Sequence, residues 1–338
     1  MIVTITPNPS LDRSFELERL SRGINRATAD QVDPGGKGVN VSRALNAAGH
    51  RTTAVLPLGG FSGLLLSELL SRQGIEVVSV PVRGDTRINV SVVETNGALT
   101  KINAPGPELT ADESDALLNT VRGLIGPDTD WLACCGSLPR GLAPEWYADL
   151  VARVHDGGAR IALDTSGSAL LAALAARPDV VKPNREELSE AVGHPLATLG
   201  DAVDAAAELR RFGAQQVLAS LGADGMLLVA EEGSWYGSAP VTLVRSDVGA
   251  GDASLAGFLG AGGAGPKALA AAVAHGAAAV KLPGSAIPTP ADLDPAGVTV
   301  TADIPLGWPL GGRTGRPHGR PEVGDVSQSY TGADRRVS

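Results

Sequence analysis

Short apolar runs alternate along the chain with longer stretches whose apolar residues recur every three or four positions. "IVTIT" is a compact run of strand length, and "GVNVSRALNAAGH" carries helical spacing, with Gly49 placed as its cap. "TTAVLPLG" returns to a strand, and "GLLLSELLSRQG" to a helix that Gly74 stops. The theme recurs in "WLACCGS" and "EWYADLVARVHDGG", in "RIALDTS" and "SALLAALAA", and in "DVVKPN" and "REELSEAVG". Such alternation with short connections predicts βαβ crossovers, hence an α/β fold whose mostly parallel sheet is covered on both faces.

Two places break this rhythm. "RSFELERL" and "TRINVSVVETNGALTKINA" have no helix between their strand-like pieces, and the second reads as a hairpin with Asn96-Gly97 in its turn. Such strands do not fit a doubly wound sheet, so they are assigned to a small appended sheet, from about 12–32 and 86–104. "QQVLASLGADGMLLVAEEGSWYG" is a second hairpin-like region near the end of the main domain. The main domain is expected to span 1–302. From about Asp303 the periodicity ends in a stretch dense in Gly, Pro and Arg, so 303–338 reads as a disordered or loosely attached tail.

Length and composition support one sizeable core: 338 residues, 43% of them hydrophobic. Aromatics are only 3%, which suits helices packed closely on a sheet better than an aromatic-rich binding surface. A net charge of −9 argues against a general nucleic-acid or acidic-membrane binder. Phosphorylated small molecules stay open as ligands, provided that cations and N–H groups cluster locally. Cys134 and Cys135 are adjacent, which leaves no disulfide framework and no zinc spacing; buried reduced thiols are expected. No signal segment or membrane-length apolar run is present, so a cytoplasmic location is expected.

Four stretches carry candidate chemistry. In "DPGGKGVNVSRAL", Gly35, Gly36 and Gly38 surround Lys37 where a helix begins, with Asn40 on its first turn. This is neither a Walker A loop nor the dinucleotide fingerprint. It offers a backbone that a ligand can approach, one cation and one amide; a helix entry that needs glycines for tight packing is the lesser alternative. In "VVKPNREEL", Asn184 and Glu187 fit the N-cap and N3 positions of a capping box. They also fit a pair facing a phosphate and its Mg²⁺. "SLGADG", residues 220–225, turns sharply at the end of a strand. In "VGAGDASLAGF", Gly249, Ala250 and Gly251 leave bare N–H groups at a helix start beside Asp252. That turn reads as local helix capping, or as an anion site with a proton acceptor next to it.

Together these stretches bring the chain close to a known family. "PGGKGVNVSRAL", "GSLPRG", "LDTSG", "KPNREEL", "SLGADG" and "VGAGDASLAGF", in that order, resemble the ribokinase-like phosphofructokinase-B family of carbohydrate kinases from about Met1 to Leu293. The resemblance implies a three-layer α/β/α domain with a β-sheet lid that closes over the sugar and forms a homodimer contact. It implies ATP as phosphoryl donor, with Mg²⁺, and Asp252 as the base that takes the proton of the attacking hydroxyl. Gly249, Ala250 and Gly251 would hold the transferring phosphoryl. Asn184, Ser220, Gly222, Ala223, Asp224 and Gly225 would border the ATP, and Glu187 would organise the metal through water. Asp12, Gly36, Lys37, Asn40 and Asn103 would face the sugar.

Within the family, "TPNPSLDRSF", "TRINV" and "LTKINAPGPEL" look like the branch that phosphorylates sugar phosphates, the 1-phosphofructokinases in particular. Fructose 1-phosphate is then the expected acceptor, with tagatose-6-phosphate kinase or 6-phosphofructokinase activity as the close alternatives. A non-catalytic sugar-phosphate sensor is the remote one. A phosphorylated acceptor needs flanking cations, and Arg87, Lys37 and Arg26 are candidates. Two positions depart from the branch: Ser91 stands where a lysine often follows "RINV", and Asp247 adds a carboxylate just ahead of the glycine turn. Removing the residues after Asp303 is expected to leave catalysis intact.

Overall fold

A computed structural model describes residues 1–311. The first strand, β1 (Ile2–Ile5), leads into two strands of a small sheet, β2 (Ser10–Leu17) and β3 (Ala29–Gly35), before α1 (Lys37–Ala47). The alternation resumes with β4 (Thr52–Leu58), α2 (Gly60–Arg72) and β5 (Glu76–Pro81), and the small sheet is completed by β6 (Arg87–Glu94) and β7 (Leu99–Ile102). Then follow α3 (Ala111–Leu124), β8 (Trp131–Cys135), α4 (Trp146–Asp156), β9 (Arg160–Asp164), α5 (Gly167–Leu174), β10 (Val180–Val181), α6 (Arg185–Val192) and α7 (Leu199–Phe212). The last elements are β11 (Gln216–Ser220), β12 (Met226–Val229), β13 (Ser234–Ser238), α8 (Ala250–Gly260), α9 (Gly265–Ala279) and β14 (Thr299–Thr301).

The large sheet has the order β14-β13-β12-β11-β10-β9-β8-β1-β4-β5. It is parallel from β5 to β11 and antiparallel beyond, so the second hairpin-like region simply extends the main sheet. The strands that broke the alternation form the separate sheet β3-β2-β6-β7.

Successive side chains on a strand point to opposite faces, and this splits the core in two. On β8, Leu132 and Cys134 pack with residues of α3, α4 and α7, whereas Trp131, Ala133 and Cys135 pack with α1, α8 and α9. The result is three layers. Each fully buried leucine or phenylalanine, such as Leu150 or Phe258, contributes about 2 kcal/mol. The same alternation keeps the two adjacent cysteines apart as free thiols, and burial pushes both thiol pKa values up.

Part of the stretch expected to be a loose tail packs on the main domain. Leu310 is buried in the core beneath α7, and the backbone from Leu306 to Leu310 pairs with the start of that helix. Low periodicity hid this segment because its attachment runs mainly through backbone groups. The rest of the expected tail lies outside the described residues.

Candidate active site

The sheet order reverses around β1, whose neighbours β4 and β8 come from opposite directions of chain progress. In open α/β sheets such a reversal leaves a crevice outside the carboxyl ends of the strands. Thr6 follows β1, Asp164 ends β9, Lys182 follows β10 and Ser220 ends β11, all at that edge.

Two glycine-opened helices enter the crevice. Gly36 precedes α1 with φ 115°, and a Cβ there would stand 2.7 Å from the Thr6 methyl. Gly249 precedes α8 with φ 77°, and open space lies over it. The N–H groups in the first turn of a helix have no acceptor inside it. Ala250 N–H, expected among the phosphoryl donors, turns back 3.4 Å to the Asp247 carbonyl, so the N–H groups of Gly249, Gly251 and Asp252 are the donors this turn has to offer. Asp247 itself is exposed, whereas Asp252 is buried.

Asn40 donates from Nδ2 to Asp252 Oδ2 at 2.8 Å, joining the two helix starts. Arg43, one turn further on α1, donates to Asn40 Oδ1 at 3.4 Å, to the Ser285 carbonyl at 3.4 Å and to Gln73 at 3.1 Å. That fixes the Asn40 amide with its nitrogen toward the carboxylate. Burial and the nearby Asp164 charge push the Asp252 pKa up to about 6, against the pull of Asn40, Lys182 and Lys37.

A cluster of charges stands beside this carboxylate. Asp164 is wholly buried between Lys37 Nζ, 2.7 Å from Oδ1, and Lys182 Nζ, 2.8 Å from Oδ2. Burial disfavours its ionised form, but the two ammonium groups outweigh that and lower its pKa. Lys37 is also 3.5 Å from Glu187 Oε1. Burial pulls the Lys37 pKa down, but Asp164 and Glu187 raise it further than burial lowers it. An added Cβ on Gly251 would stand 3.2 Å from Lys182 Nζ, so this ammonium lies beside the α8 turn.

Asn184 and Glu187 do form the capping box of α6, with Glu187 N 2.8 Å from Asn184 Oδ1 and Asn184 N 2.9 Å from Glu187 Oε2. The Lys37 contact adds a reason for Glu187 to face the crevice. Ser220 N–H donates to the Pro183 carbonyl, which sets the "SLGADG" turn against the start of α6. Gly222 and Gly225 take φ 61° and 100° in this turn; Gly222 and Ala223 are exposed, and Asp224 is buried.

The small sheet supplies the other wall. Asp12 on β2 pairs with Asn89 on β6, and its Oδ1 accepts from Asn89 at 2.9 Å and Ser10 at 2.7 Å. Gly35 leaves the space that this carboxylate fills, since a Cβ there would lie within hard contact of it. Arg87 donates to the carbonyls of Ala104 and Asn8, both at 2.9 Å, and its buried Nε has no partner among the described residues. Asn103 is exposed next to Ala104, whose N–H donates to Asn89. Ser91 faces Lys101 across the β6–β7 pair, so a cation does stand on that side of the sheet, one strand over.

Arg26 is not brought to this cluster. It lies exposed in the β2–β3 connection, beyond the Glu16–Ala29 pair at the far end of the sheet from Asp12. Three residues of the cluster carry no helix-start signal of their own in the sequence: Arg43, Asp164 and Lys182. Asp164 and Lys182 sit at strand ends within "LDTSG" and "VVKPN", and position at the carboxyl edge of a parallel sheet is the cue that could have singled them out.

Residues 8–292 match a family model described as "pfkB family carbohydrate kinase". The chain is 38% identical to a 1-phosphofructokinase from Rhodobacter capsulatus over 260 residues, 76% of this chain and 82% of that protein. It is 41% identical to one from Haloferax volcanii over 263 residues, 77% of this chain and 84% of that protein. The crystal structure of phosphofructokinase-2 from Escherichia coli in complex with fructose-6-phosphate superposes with a TM-score of 0.77 at 34% identity, covering 82% of this chain and 93% of that one.

Proposed function

The chain belongs to the pfkB family of carbohydrate kinases, and from that premise we propose that it phosphorylates fructose 1-phosphate with ATP to give fructose 1,6-bisphosphate. The observation that carries this reading is the setting of Asp252. A carboxylate at a glycine-opened helix start, with a pKa pushed up to about 6, is ionised at neutral pH yet basic enough to accept a hydroxyl proton. Asn40 occupies its Oδ2, which leaves Oδ1 for the acceptor hydroxyl.

Phosphoryl transfer asks the protein for in-line positioning and for charge stabilisation. The N–H groups of Gly249 and Gly251, at the positive end of α8, and the ammonium of Lys182 beside them meet the charge on the transferring group. Asp164 holds Lys182 and Lys37 at fixed points on either side. Asp12 keeps Oδ2 for a sugar hydroxyl, while Arg87 and Lys101 provide positive charge at the lid for the phosphate that the acceptor already carries.

Mg²⁺ fits the donor chemistry at Glu187, whose carboxylate stands at the crevice and would organise the ion through water, whereas both oxygens of the buried Asp164 are taken by Lys37 and Lys182. Among the described residues no three His, Cys, Asp or Glu side chains are grouped closely enough to hold an ion by themselves. That suits an ion shared with nucleotide phosphates, which when bound neutralises their charge. Asn184, Ser220 and the turn 222–225 border the nucleotide in this reading.

The lid exposes Ile88, Val93, Leu99 and Ile102, which supports a second copy of the chain docking there. No helix among the described residues is long and apolar enough to cross a membrane; ATP dependence and two free buried cysteines support a cytoplasmic location.

A linked assay of ADP release against fructose 1-phosphate, fructose 6-phosphate, tagatose 6-phosphate and free hexoses tests the reading. Turnover should be fastest with fructose 1-phosphate. The fructose-6-phosphate complex of the similar solved structure favours fructose 6-phosphate as the second reading. Activity on free sugars alone would overturn both.

A further inference from the structure

Beyond the matched region, which ends at residue 292, the chain continues as an ordered strap. After β14 pairs with β13 at the sheet edge, residues 306–311 run across the start of α7. The first N–H groups of a helix need acceptors from outside it. Here Leu199 N–H donates to the Trp308 carbonyl at 2.9 Å and Gly200 N–H to the Leu306 carbonyl at 2.8 Å. Thr198 Oγ1 takes the next donor, from Asp201 at 3.1 Å. Leu310 N–H donates in return to the Ala197 carbonyl at 2.8 Å, and the Leu310 side chain is only 9% exposed. The strap is thus tied into the helix cap through its backbone and anchored by Leu310, while its other residues stay exposed.

Its end reaches the "SLGADG" turn. Gly311 N–H donates to Asp224 Oδ2, and it is the one donor to that buried carboxylate among the described residues, since Oδ1 has no partner. A buried carboxylate left without hydrogen bonds is costly, so this contact has leverage over the turn's shape. Asp224 is otherwise tied through its backbone: its carbonyl accepts from Tyr236 at 2.7 Å and its N–H donates to Leu221. Gly311 also lies against Arg185, the residue after Asn184, so the strap ends where both nucleotide-side segments meet.

We propose that the Leu306–Gly311 strap holds the Ser220–Gly225 turn in its nucleotide-accepting shape, so that a segment outside the family match sets the affinity for ATP. The inference rests on reading that turn as the ATP side of the crevice. It makes Gly311 a positioning residue.

The test compares the full chain with its Gly311→Pro variant, which removes the N–H and cannot keep the 86° φ of Gly311, so that the strap end lets go of Asp224, and with a chain ending at Asp303. KM for ATP should rise about tenfold in both, the scale of one hydrogen bond to a charged group, while kcat and the sugar-phosphate KM stay within twofold. Calorimetric binding of a non-hydrolysable ATP analogue should weaken by the same factor. An ATP KM and analogue affinity unchanged in Gly311→Pro, or an equal rise in both KM values, would overturn the proposal. If the shortened chain does not fold, the single substitution decides alone. If the unaltered chain phosphorylates no hexose phosphate, the functional reading fails, and analogue binding by the two full-length proteins still judges the strap.

Discussion

Asn40 Nδ2 and Asp252 Oδ2 lie 2.8 Å apart although 212 residues separate them in the chain. This bond brings the first helix start onto the eighth and sets which carboxylate oxygen faces the acceptor. Asp252→Asn preserves the shape and can still accept the Asn40 hydrogen bond, but it cannot take a proton. Turnover should fall by about 10²- to 10⁴-fold, with sugar-phosphate binding by calorimetry changed less than threefold. Turnover kept within tenfold of the parent would remove Asp252 from the base role.

The same carboxyl gives a pH dependence with a definite sign. The base works ionised, so kcat should climb as pH rises through about 6 and then level off. Stability runs the other way. Folding raises this pKa from its ordinary 3.8, so the folded chain keeps a proton that the unfolded chain has released. The penalty is absent below both values, builds between them and is full above about 6. Asp252→Asn should therefore be more stable than the parent at pH 8, by on the order of 3 kcal/mol. Chemical denaturation at pH 5 and pH 8 checks this: the gap should be smaller at pH 5.

The sequence made the two helix starts legible because glycine next to Lys37 or Asp252 leaves a mark that apolar periodicity cannot explain. The parallel sheet and the misfit lid strands were legible for a related reason, since period-two and period-3.6 patterns differ over a few residues. Asp164 and Lys182 were not. Each is a single charge at the end of an apolar strand, and only the sheet order shows that their strands are neighbours, with Asp164 reaching Lys37 from 127 residues away. Arg26 failed for the opposite reason: a cation near a motif in sequence ended at the far tip of the lid. The strap was hidden because backbone hydrogen bonds carry no residue signature.

Asp164→Asn tests the buried charge cluster. Lys182 is only 4% exposed, and without its partner it becomes an uncompensated buried charge. Loss of one partner in such a pair costs about 3–5 kcal/mol, so the melting temperature should drop clearly. The Asp164 charge also raises the Asp252 pKa, so in the folded variant the acid limb of the kcat profile should move to lower pH. A limb that stays in place would show that Asp164 holds the lysines without acting on the base.

Arg43 acts on the base through Asn40. Its guanidinium holds Asn40 Oδ1, and the bond from the Asn40 nitrogen lowers the Asp252 pKa against the effect of burial. In Arg43→Met the amide is free to turn, and a turned amide sets its oxygen against the carboxylate. Turnover should fall about fivefold, the scale of one ordinary hydrogen bond, and the acid limb of the kcat profile should shift to higher pH. Arg43→Lys should recover part of both effects, because an ammonium can still reach the Asn40 oxygen. A purely structural role for Arg43 would instead lower the melting temperature and raise both KM values with the limb unmoved. The direction of the limb thus separates the two lever arms on Asp252: loss of Asp164 shifts it down, and loss of Arg43 shifts it up.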